Sequence, residues 1–167
     1  MERHLDLVLR WNRNLNLTRI TELDEIVERH YAESLFLAMQ LPPGPLSIVD
    51  IGSGAGFPGV PVAVARPESR ITLVESHRRK AVFLKEVARG LPNIVVESTR
   101  AEDVVSRFDW VTSRAVAWNE IMAVAFRLAP QVALLTSGEG IPGSGEAIQL
   151  PWGHGRFVRT VSRETIG

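Results

Sequence analysis

Three glycines at alternate positions, Gly52, Gly54 and Gly56, form the stretch of this sequence that is best suited to hold a ligand. Glycine adopts positive φ without strain and lets a bound molecule approach the backbone closely. The glycines follow an apolar run, 46–51, and precede a segment with the pattern of a helix. A strand, a glycine-rich turn and a helix N-terminus together are typical of nucleotide-binding folds, because the start of the helix supplies unpaired N–H groups.

Two carboxylates near this turn indicate which nucleotide it would hold. Asp50 lies two residues before the first glycine, and Glu75 ends the next apolar run, where an acidic residue is expected to meet ribose hydroxyls. The spacing Gly-x-Gly-x-Gly differs from the dinucleotide fingerprint, and Asp50 would repel a pyrophosphate. A carboxylate is better tolerated beside a cation, and S-adenosylmethionine carries a sulfonium and an ammonium group. These residues therefore favour S-adenosylmethionine as the cofactor.

The wider pattern around the turn resembles a known family. Asp-x-Gly-x-Gly-x-Gly resembles motif I of the class I methyltransferases, and the full segment 50–59, Asp-Ile-Gly-Ser-Gly-Ala-Gly-Phe-Pro-Gly, resembles the GidB/RsmG family. That family consists of bacterial methyltransferases that modify a guanine N7 in small-subunit ribosomal RNA. Segments 11–18 (Trp-Asn-x-x-x-Asn-Leu-Thr), 29–35 (Arg-His-x-x-x-Ser-Leu, with Glu33 where the family has Asp) and 113–115 (Ser-Arg-Ala) also resemble the family.

The resemblance implies roles for particular residues. Those expected to orient the guanine or to act in catalysis are Asn12, Asn16, His30 and Arg114. Those expected to bind the cofactor are Asp50, Gly52, Gly54, Gly56, Phe57, Glu75, Ala101, Glu102 and Arg114. Arg114 would anchor the methionine carboxylate or an RNA phosphate, because a planar guanidinium pairs with both. No metal is expected. Guanine N7 already presents a lone pair, so catalysis would consist of holding the donor and N7 in line.

Apolar runs and helical patterns alternate along the chain and predict an α/β fold. The resemblance to the family implies that this fold is the Rossmann-like class I methyltransferase fold. We expect a mostly parallel central sheet with helices on both faces and one domain over 1–167. Its parts are a helical cap (1–45), a cofactor-binding core (46–136) and a loop-rich C-terminal part (137–167). Within the last part, 137–155 is expected to be a loop, with 149–150 in a further strand and 156–161 as the closing strand.

Composition limits the function classes. The 167 residues are 45% apolar, enough for one substantial core, and contain no cysteine, which excludes disulfides and thiolate chemistry. No run is long enough to cross a bilayer, and no signal peptide is evident, so we expect a cytoplasmic protein, and a monomer. Nineteen basic and nineteen acidic residues give no net charge. Binding of ribosomal RNA or the small ribosomal subunit would then depend on local basic residues, such as 77–80.

Three alternatives remain open on the sequence. A methyltransferase of the same fold could act on a small molecule or a protein, which the neutral charge favours slightly. A nicotinamide-dependent dehydrogenase is disfavoured by the glycine spacing and by the lack of a catalytic Tyr-Lys pair. A cofactor-binding remnant without activity is the third, because Thr136-Ser137-Gly138 stands where the family has Lys-Gly and no lysine follows.

Overall fold

The structure of the protein, a computed structural model, describes residues 1–114, 116–138 and 145–166. These residues form a seven-stranded sheet with the strand order β3-β2-β1-β4-β5-β7-β6. The strands are β1 (Ser47–Ile51), β2 (Arg70–Val74), β3 (Ile94–Glu97), β4 (Trp110–Arg114), β5 (Gln131–Ser137), β6 (Glu146–Gln149) and β7 (Arg156–Ser162).

The first five strands run parallel, and β7 is antiparallel to both β5 and β6. The strand order reverses direction next to β1, because β2 lies on one side of β1 and β4 on the other. Ligands of open parallel sheets bind at such a switch point, beyond the carboxyl ends of the strands. The predicted, mostly parallel α/β sheet is confirmed, and the glycine turn lies at its switch point.

Helices cover both faces of the sheet. They are α1 (Glu2–Leu15), α2 (Leu23–Ile26), α3 (Glu33–Gln40), α4 (Gly59–Ala65), α5 (Arg78–Ala88), α6 (Trp118–Leu128) and α7 (Arg163–Ile166). Alternate strand residues supply the two cores: Ile48 packs with the face that carries α1, α3, α4 and α5, and its neighbour Val49 packs with the face that carries α6. Successive side chains of a strand point to opposite faces, so an apolar run in a parallel sheet fills both cores.

The first 45 residues form a helical cap over one face of the sheet. The cap is joined to α5 where Trp11 Nε1 donates to Glu86 Oε2 at 3.1 Å. It is joined to the end of α4 where Arg66 Nη2 donates to Pro42 O at 2.6 Å and to Gly44 O at 2.9 Å. These links hold the cap against the side of the sheet that carries the glycine turn.

Two local features differ from the sequence prediction. The helical cap predicted for 1–45 contains a π-helical segment, Val27–Ala32, between α2 and α3. In the C-terminal part, β6 occupies 146–149, so part of the stretch expected to be a loop is sheet, whereas 139–144 lie outside the described residues. Pairing with β7 forms this strand, a long-range contact that a glycine-rich sequence does not reveal. The closing strand β7 is confirmed over 156–162.

Candidate functional site

The glycine turn follows β1 directly and needs its glycines. φ is +68° at Gly52, +53° at Gly54 and +92° at Gly56, a region that side chains with Cβ rarely adopt. A Cβ on Gly56 would lie 2.6 Å from Val60 Cγ2. The Gly52 N–H donates to Val74 O at 3.0 Å, which ties the turn to the end of β2. The turn is therefore a fixed piece of backbone with no side chains at its three glycines.

His4 of α1 supports the turn from the cap. Its Nε2 lies 2.8 Å from Ala55 O, and its Nδ1 lies 2.9 Å from the Tyr31 hydroxyl. A carbonyl only accepts, so the imidazole donates from Nε2 and accepts the Tyr31 proton at Nδ1. Burial lowers the pKa of His4 to about 4, in agreement with a neutral ring. Phe57, predicted to cover the cofactor, is buried and packs 5.0 Å from His4 between ring centroids.

A first cavity, cavity I, of about 270 Å³ lies on one side of Gly52 at the ends of β1 and β2. Apolar side chains such as Ile121 and Val124 of α6 form one wall, and Ser76 and Thr99 bring hydroxyl groups. An apolar slot with a few polar groups is the usual form of a site for a flat aromatic ligand.

Ala101 and Glu102, predicted to bind the cofactor, line cavity I. They belong to a 3-10 turn, Ala101–Asp103, that α6 holds in place. Arg127 Nη2 donates to Ala101 O at 2.9 Å and to Glu102 O at 3.0 Å. The structure therefore brings both residues to the glycine turn.

Asp50 lies below the turn and lines neither cavity I nor the cavity on its other side. It is fully buried, and its Oδ1 accepts from Thr112 Oγ1 at 2.9 Å, while Oδ2 has no partner in the described part of the chain. Burial raises the pKa of Asp50 to about 7. Gly59 covers this oxygen so closely that a Cβ there would lie 2.8 Å from it. Contact between Asp50 and the cofactor stays a prediction.

Glu75 ties the turn to the residues after β2. Its Oε2 accepts from the Gly54 N–H at 2.9 Å, and its Oε1 accepts from the His77 N–H at 2.7 Å. Each carboxylate oxygen keeps a second lone pair for a ribose hydroxyl. The ribose contact stays a prediction, and the contact with Gly54 shows that Glu75 also orients the turn.

A second cavity, cavity II, of about 520 Å³ lies on the other side of Gly52, between the turn and the cap. Two of the predicted residues, His30 and Arg114, meet in its wall. Arg114 Nη1 donates to His30 Nδ1 at 2.6 Å, and His30 Nε2 lies 2.7 Å from Thr18 Oγ1. The His30 ring also stacks on Phe57 at 4.6 Å.

The protonation state of His30 follows from its partners. Burial, followed by the charge of Arg114, lowers the pKa of His30 to about 3. A guanidinium only donates, so Nδ1 must accept and the single ring proton lies on Nε2, directed at Thr18. The wide turn of the π-helical segment carries His30, and such turns frequently lie at functional sites.

Arg114 also forms the boundary of a third cavity, cavity III, of about 410 Å³ at the ends of β4 and β5. Arg29 and Arg156 line it as well. The buried Glu33 accepts from Arg156 Nε at 2.9 Å and Nη2 at 2.6 Å, and lies 3.5 Å from Arg114 Nη2. One carboxylate thus balances two inner arginines, which leaves cavity III suited to an anion. Burial lowers the pKa of Arg114 to about 10, still charged at neutral pH.

The two predicted asparagines differ in position. Asn12 Nδ2 donates to Thr18 O at 3.0 Å and its Oδ1 accepts from the Thr18 N–H at 2.9 Å, so Asn12 positions Thr18. Asn16 is exposed, ends α1 with φ 48°, and lines none of the three cavities. Guanine contact of either residue stays a prediction. Ala115, in the Ser-Arg-Ala motif, lies outside the described residues.

Several residues of the site carry no sequence signal strong enough to predict them. Thr18 belongs to the motif 11–18, which predicts no role for it, and Glu33 stands where the family has Asp. Arg156 is 123 residues from Glu33, and its contact depends on the pairing of β7 with β5.

Over the described ranges, His, Asp and Glu residues form no cluster that could hold a metal ion. The same ranges contain no helix with the length and apolar character that crossing a membrane requires.

Comparison with known proteins finds a matching family and similar proteins. The family described as GidB, rRNA small subunit methyltransferase G, matches residues 1–136. A ribosomal RNA small subunit methyltransferase G of Nitrosomonas europaea is 45% identical over 117 residues, 68% of this chain and 54% of that protein. The enzyme of the same name from Xylella fastidiosa strain M23 is 39% identical over 153 residues, 89% of this chain and 71% of that protein. The chain thus spans about half to three quarters of the length of these relatives.

Solved structures agree on the fold. A SAM-dependent methyltransferase from Aquifex aeolicus superposes with a TM-score of 0.62 over 87% of this chain and 97% of that one, at 12% identity. A likeness at this identity shows the Rossmann-like methyltransferase fold alone. With the family match over most of the chain and the glycine turn at the switch point, the conclusion is that this chain belongs to the GidB family, rRNA small subunit methyltransferase G.

Proposed function

We propose that the protein is an S-adenosylmethionine-dependent methyltransferase that acts on small-subunit ribosomal RNA, at guanine N7. The observation that carries the proposal is the glycine turn between cavities I and II, with His30 and Arg114 facing it from the cap and from β4. Membership of the GidB family supports the same reaction.

The residues present suit the cofactor. Gly52 borders both cavities, and a Cβ there would lie 3.3 Å from Val116 Cγ2, so a side chain would narrow the passage between them. Cavity I would hold the adenosine between its apolar wall and Glu102. The turn and Arg114 would hold the methionine end, because a guanidinium pairs with a carboxylate. The cofactor would supply a methyl group activated by a sulfonium.

Catalysis by this chain would consist of positioning. Guanine N7 needs no base to expose its lone pair, and orientation of two reactants at contact distance contributes about 7–11 kcal/mol. His30 is held neutral by Arg114 and by burial, so it orients groups and does not transfer protons near pH 7. The two other arginines of cavity III, Arg29 and Arg156, would bind phosphates of the RNA.

The substrate and the setting belong to the same proposal. The relatives from Nitrosomonas and Xylella carry ribosomal RNA in their names. If the substrate is ribosomal, the protein acts in the cytoplasm. We propose that the protein acts as a monomer, and light scattering of the purified protein would measure its mass.

Two measurements test the proposed function. In the first, titration calorimetry with S-adenosylhomocysteine and with NAD should give binding of the former alone. In the second, small ribosomal subunits that lack the modification should take up labelled methyl, and nucleoside analysis should identify 7-methylguanosine. Cofactor binding without methyl transfer would indicate a cofactor-binding remnant without activity. Methyl transfer to metabolites or to protein would indicate a methyltransferase for a small molecule or a protein.

Variants test the assignment of residues. His30→Ala and Arg114→Ala should each lower methyl transfer by about 10²-fold or more, because misplacement by 1 Å costs this much. His154→Ala and Arg70→Ala are matched controls at exposed positions and should stay active. Full activity of both site variants would contradict the assignment.

A further inference from the structure

Thr18 is a polar group of cavity II to which the proposed function assigns no role. Its side chain lines cavity II together with Gly52 and Arg114. Two bonds from Asn12 to its backbone hold it in place, as does the stacked His30 ring beside it. Its hydroxyl is therefore a preorganised group that faces the space between the glycine turn and the cap.

The direction of the Thr18 proton follows from a chain of donors that begins at Arg114. The guanidinium donates to His30 Nδ1, so the ring is the Nε2–H tautomer and donates to Thr18 Oγ1 at 2.7 Å. The Ile20 N–H donates to the same oxygen at 3.1 Å. A hydroxyl oxygen has two acceptor lone pairs, and both are now occupied.

The Thr18 hydroxyl is therefore left with its own proton to donate. In the residues that the structure describes, no acceptor is hydrogen-bonded to this proton. The Thr18 hydroxyl cannot act as an acceptor for a ligand, because two other donors already occupy its lone pairs. A ligand in cavity II meets an O–H group and not an acceptor.

A fixed donor in cavity II distinguishes purine bases. On the edge that carries N7, guanine presents two acceptors, N7 and O6, whereas adenine presents the N7 acceptor and an N6 amino donor. A hydroxyl that can only donate forms a hydrogen bond with the acceptor O6 of guanine. It cannot bond the amino group of adenine, which is itself a donor. It would also hold the base at a point next to N7.

Because the imidazole lies between Arg114 and Thr18, the donor chain ends in a neutral hydroxyl group and not in the guanidinium. Methyl transfer to N7 places positive charge on the purine ring, and a guanidinium bonded directly to O6 would oppose it. A neutral hydroxyl at the end of the donor chain orients the base without that penalty.

We propose that the Thr18 hydroxyl donates a hydrogen bond to O6 of the target guanine and so selects guanine over adenine. The proposal rests on the proposed function and adds a specificity residue to it.

The experiment removes either partner of this bond. The substrate is a small ribosomal subunit reconstituted with RNA that carries guanine or 2-aminopurine at the methylated position. 2-Aminopurine is used because it keeps N7 and lacks O6. Each is offered to the wild-type protein, Thr18→Val, Thr18→Ser and the neighbouring exposed control Thr21→Val, and kcat/KM is measured. The affinity for S-adenosylhomocysteine is measured for each variant.

The expected result is a loss of about tenfold in the wild type when O6 is removed, the size of one hydrogen bond. Thr18→Val should show a similar loss on guanine RNA and the same rate on both RNAs. Thr18→Ser and Thr21→Val should keep the preference for guanine, and the affinity for S-adenosylhomocysteine should stay within twofold.

Two results would overturn the inference: equal rates of the wild type on both RNAs, or a tenfold preference for guanine that persists in Thr18→Val. The first needs no variant, so poor folding of Thr18→Val does not remove the test. Absence of methylation by the wild type on guanine RNA would instead refute the proposed function.

Discussion

Glu33 is a buried carboxylate that compensates the charge of two arginines in this site. It is 2% exposed and balances Arg156 and Arg114, which themselves line cavity III. Removal of one partner of a buried ion pair leaves the other charge without compensation, and this costs more than the pair contributes net. Glu33 therefore holds two cations in a place where each would be unfavourable alone.

Glu33→Gln should lower the free energy of unfolding by about 3–5 kcal/mol, because two partly buried guanidinium groups lose the charge of their buried partner. Urea denaturation followed by circular dichroism measures it. The control is Glu25→Gln, which removes the exposed pair of Glu25 with Arg29 and should cost less than about 1 kcal/mol. Equal costs for the two variants would contradict the role of Glu33.

The glycines offer a matched pair for testing the turn. Gly56 and Gly44 share φ +92°, but a Cβ at Gly56 would lie 2.6 Å from Val60 Cγ2, whereas one at Gly44 would meet no described atom within 4 Å. Gly44→Ala should cost about 1–2 kcal/mol of backbone strain, and Gly56→Ala clearly more, with loss of S-adenosylhomocysteine binding. Thermal unfolding and calorimetry measure both, and unchanged cofactor affinity in Gly56→Ala would argue against a cofactor role for the turn.

At the scale of elements, the connection from α1 to α2 carries as much of the site as the sheet does. Residues 17–20 line cavity II, and Asn12 at the end of α1 bonds both backbone groups of Thr18. The π-helical segment then brings His30 to the same hydroxyl. The cap is thus a wall of the site, positioned by side-chain bonds to backbone.

Asn12→Ala should release this connection. Two lost bonds cost about 1–3 kcal/mol of stability, and methyl transfer should fall by about tenfold or more because Thr18 and His30 lose their alignment. Asn14→Ala, at an exposed neighbouring position, is the control. Kinetics on small subunits and urea denaturation report the two effects, and a stable but inactive Asn12→Ala would indicate direct contact with the base.

At the scale of the whole molecule, three buried titratable groups set the response to pH. The pKa of His4 is lowered to about 4 and that of His30 to about 3, so between these values and 6.5 the unfolded chain binds protons that the folded protein does not. The free energy of unfolding falls as the pH drops through this window. Asp50 acts in the opposite sense, because its pKa is raised from 3.8 to about 7 and the folded state keeps a proton there.

From these groups the net difference is close to one proton near pH 5, so the free energy of unfolding should rise there by about 1 kcal/mol per pH unit. Asp50→Asn removes the opposing group and should about double this slope. Urea denaturation at half-unit intervals of pH measures both slopes. An unchanged slope in Asp50→Asn would contradict a raised pKa at Asp50.

The sequence by itself determined the nucleotide-binding half of this protein. Alternating apolar runs and glycines are local, and a strand, a turn and a helix that follow one another within twenty residues reveal their geometry through spacing alone. His30 and Arg114 followed from family motifs, and Ala101 and Glu102 from their place in the family's fold. The structure brings all four to the turn.

The tertiary structure alone decided which groups complete the site and in which protonation state. Arg156 reaches Glu33 across 123 residues because β7 pairs with β5. Thr18 becomes a fixed donor because Arg114 bonds His30, and His30 in turn donates to the Thr18 hydroxyl. Burial, which no local pattern reports, shifts the pKa values of His30 and Asp50 in opposite directions. Long-range pairing and desolvation are properties of the packed chain, and the chemistry of cavities II and III depends on both.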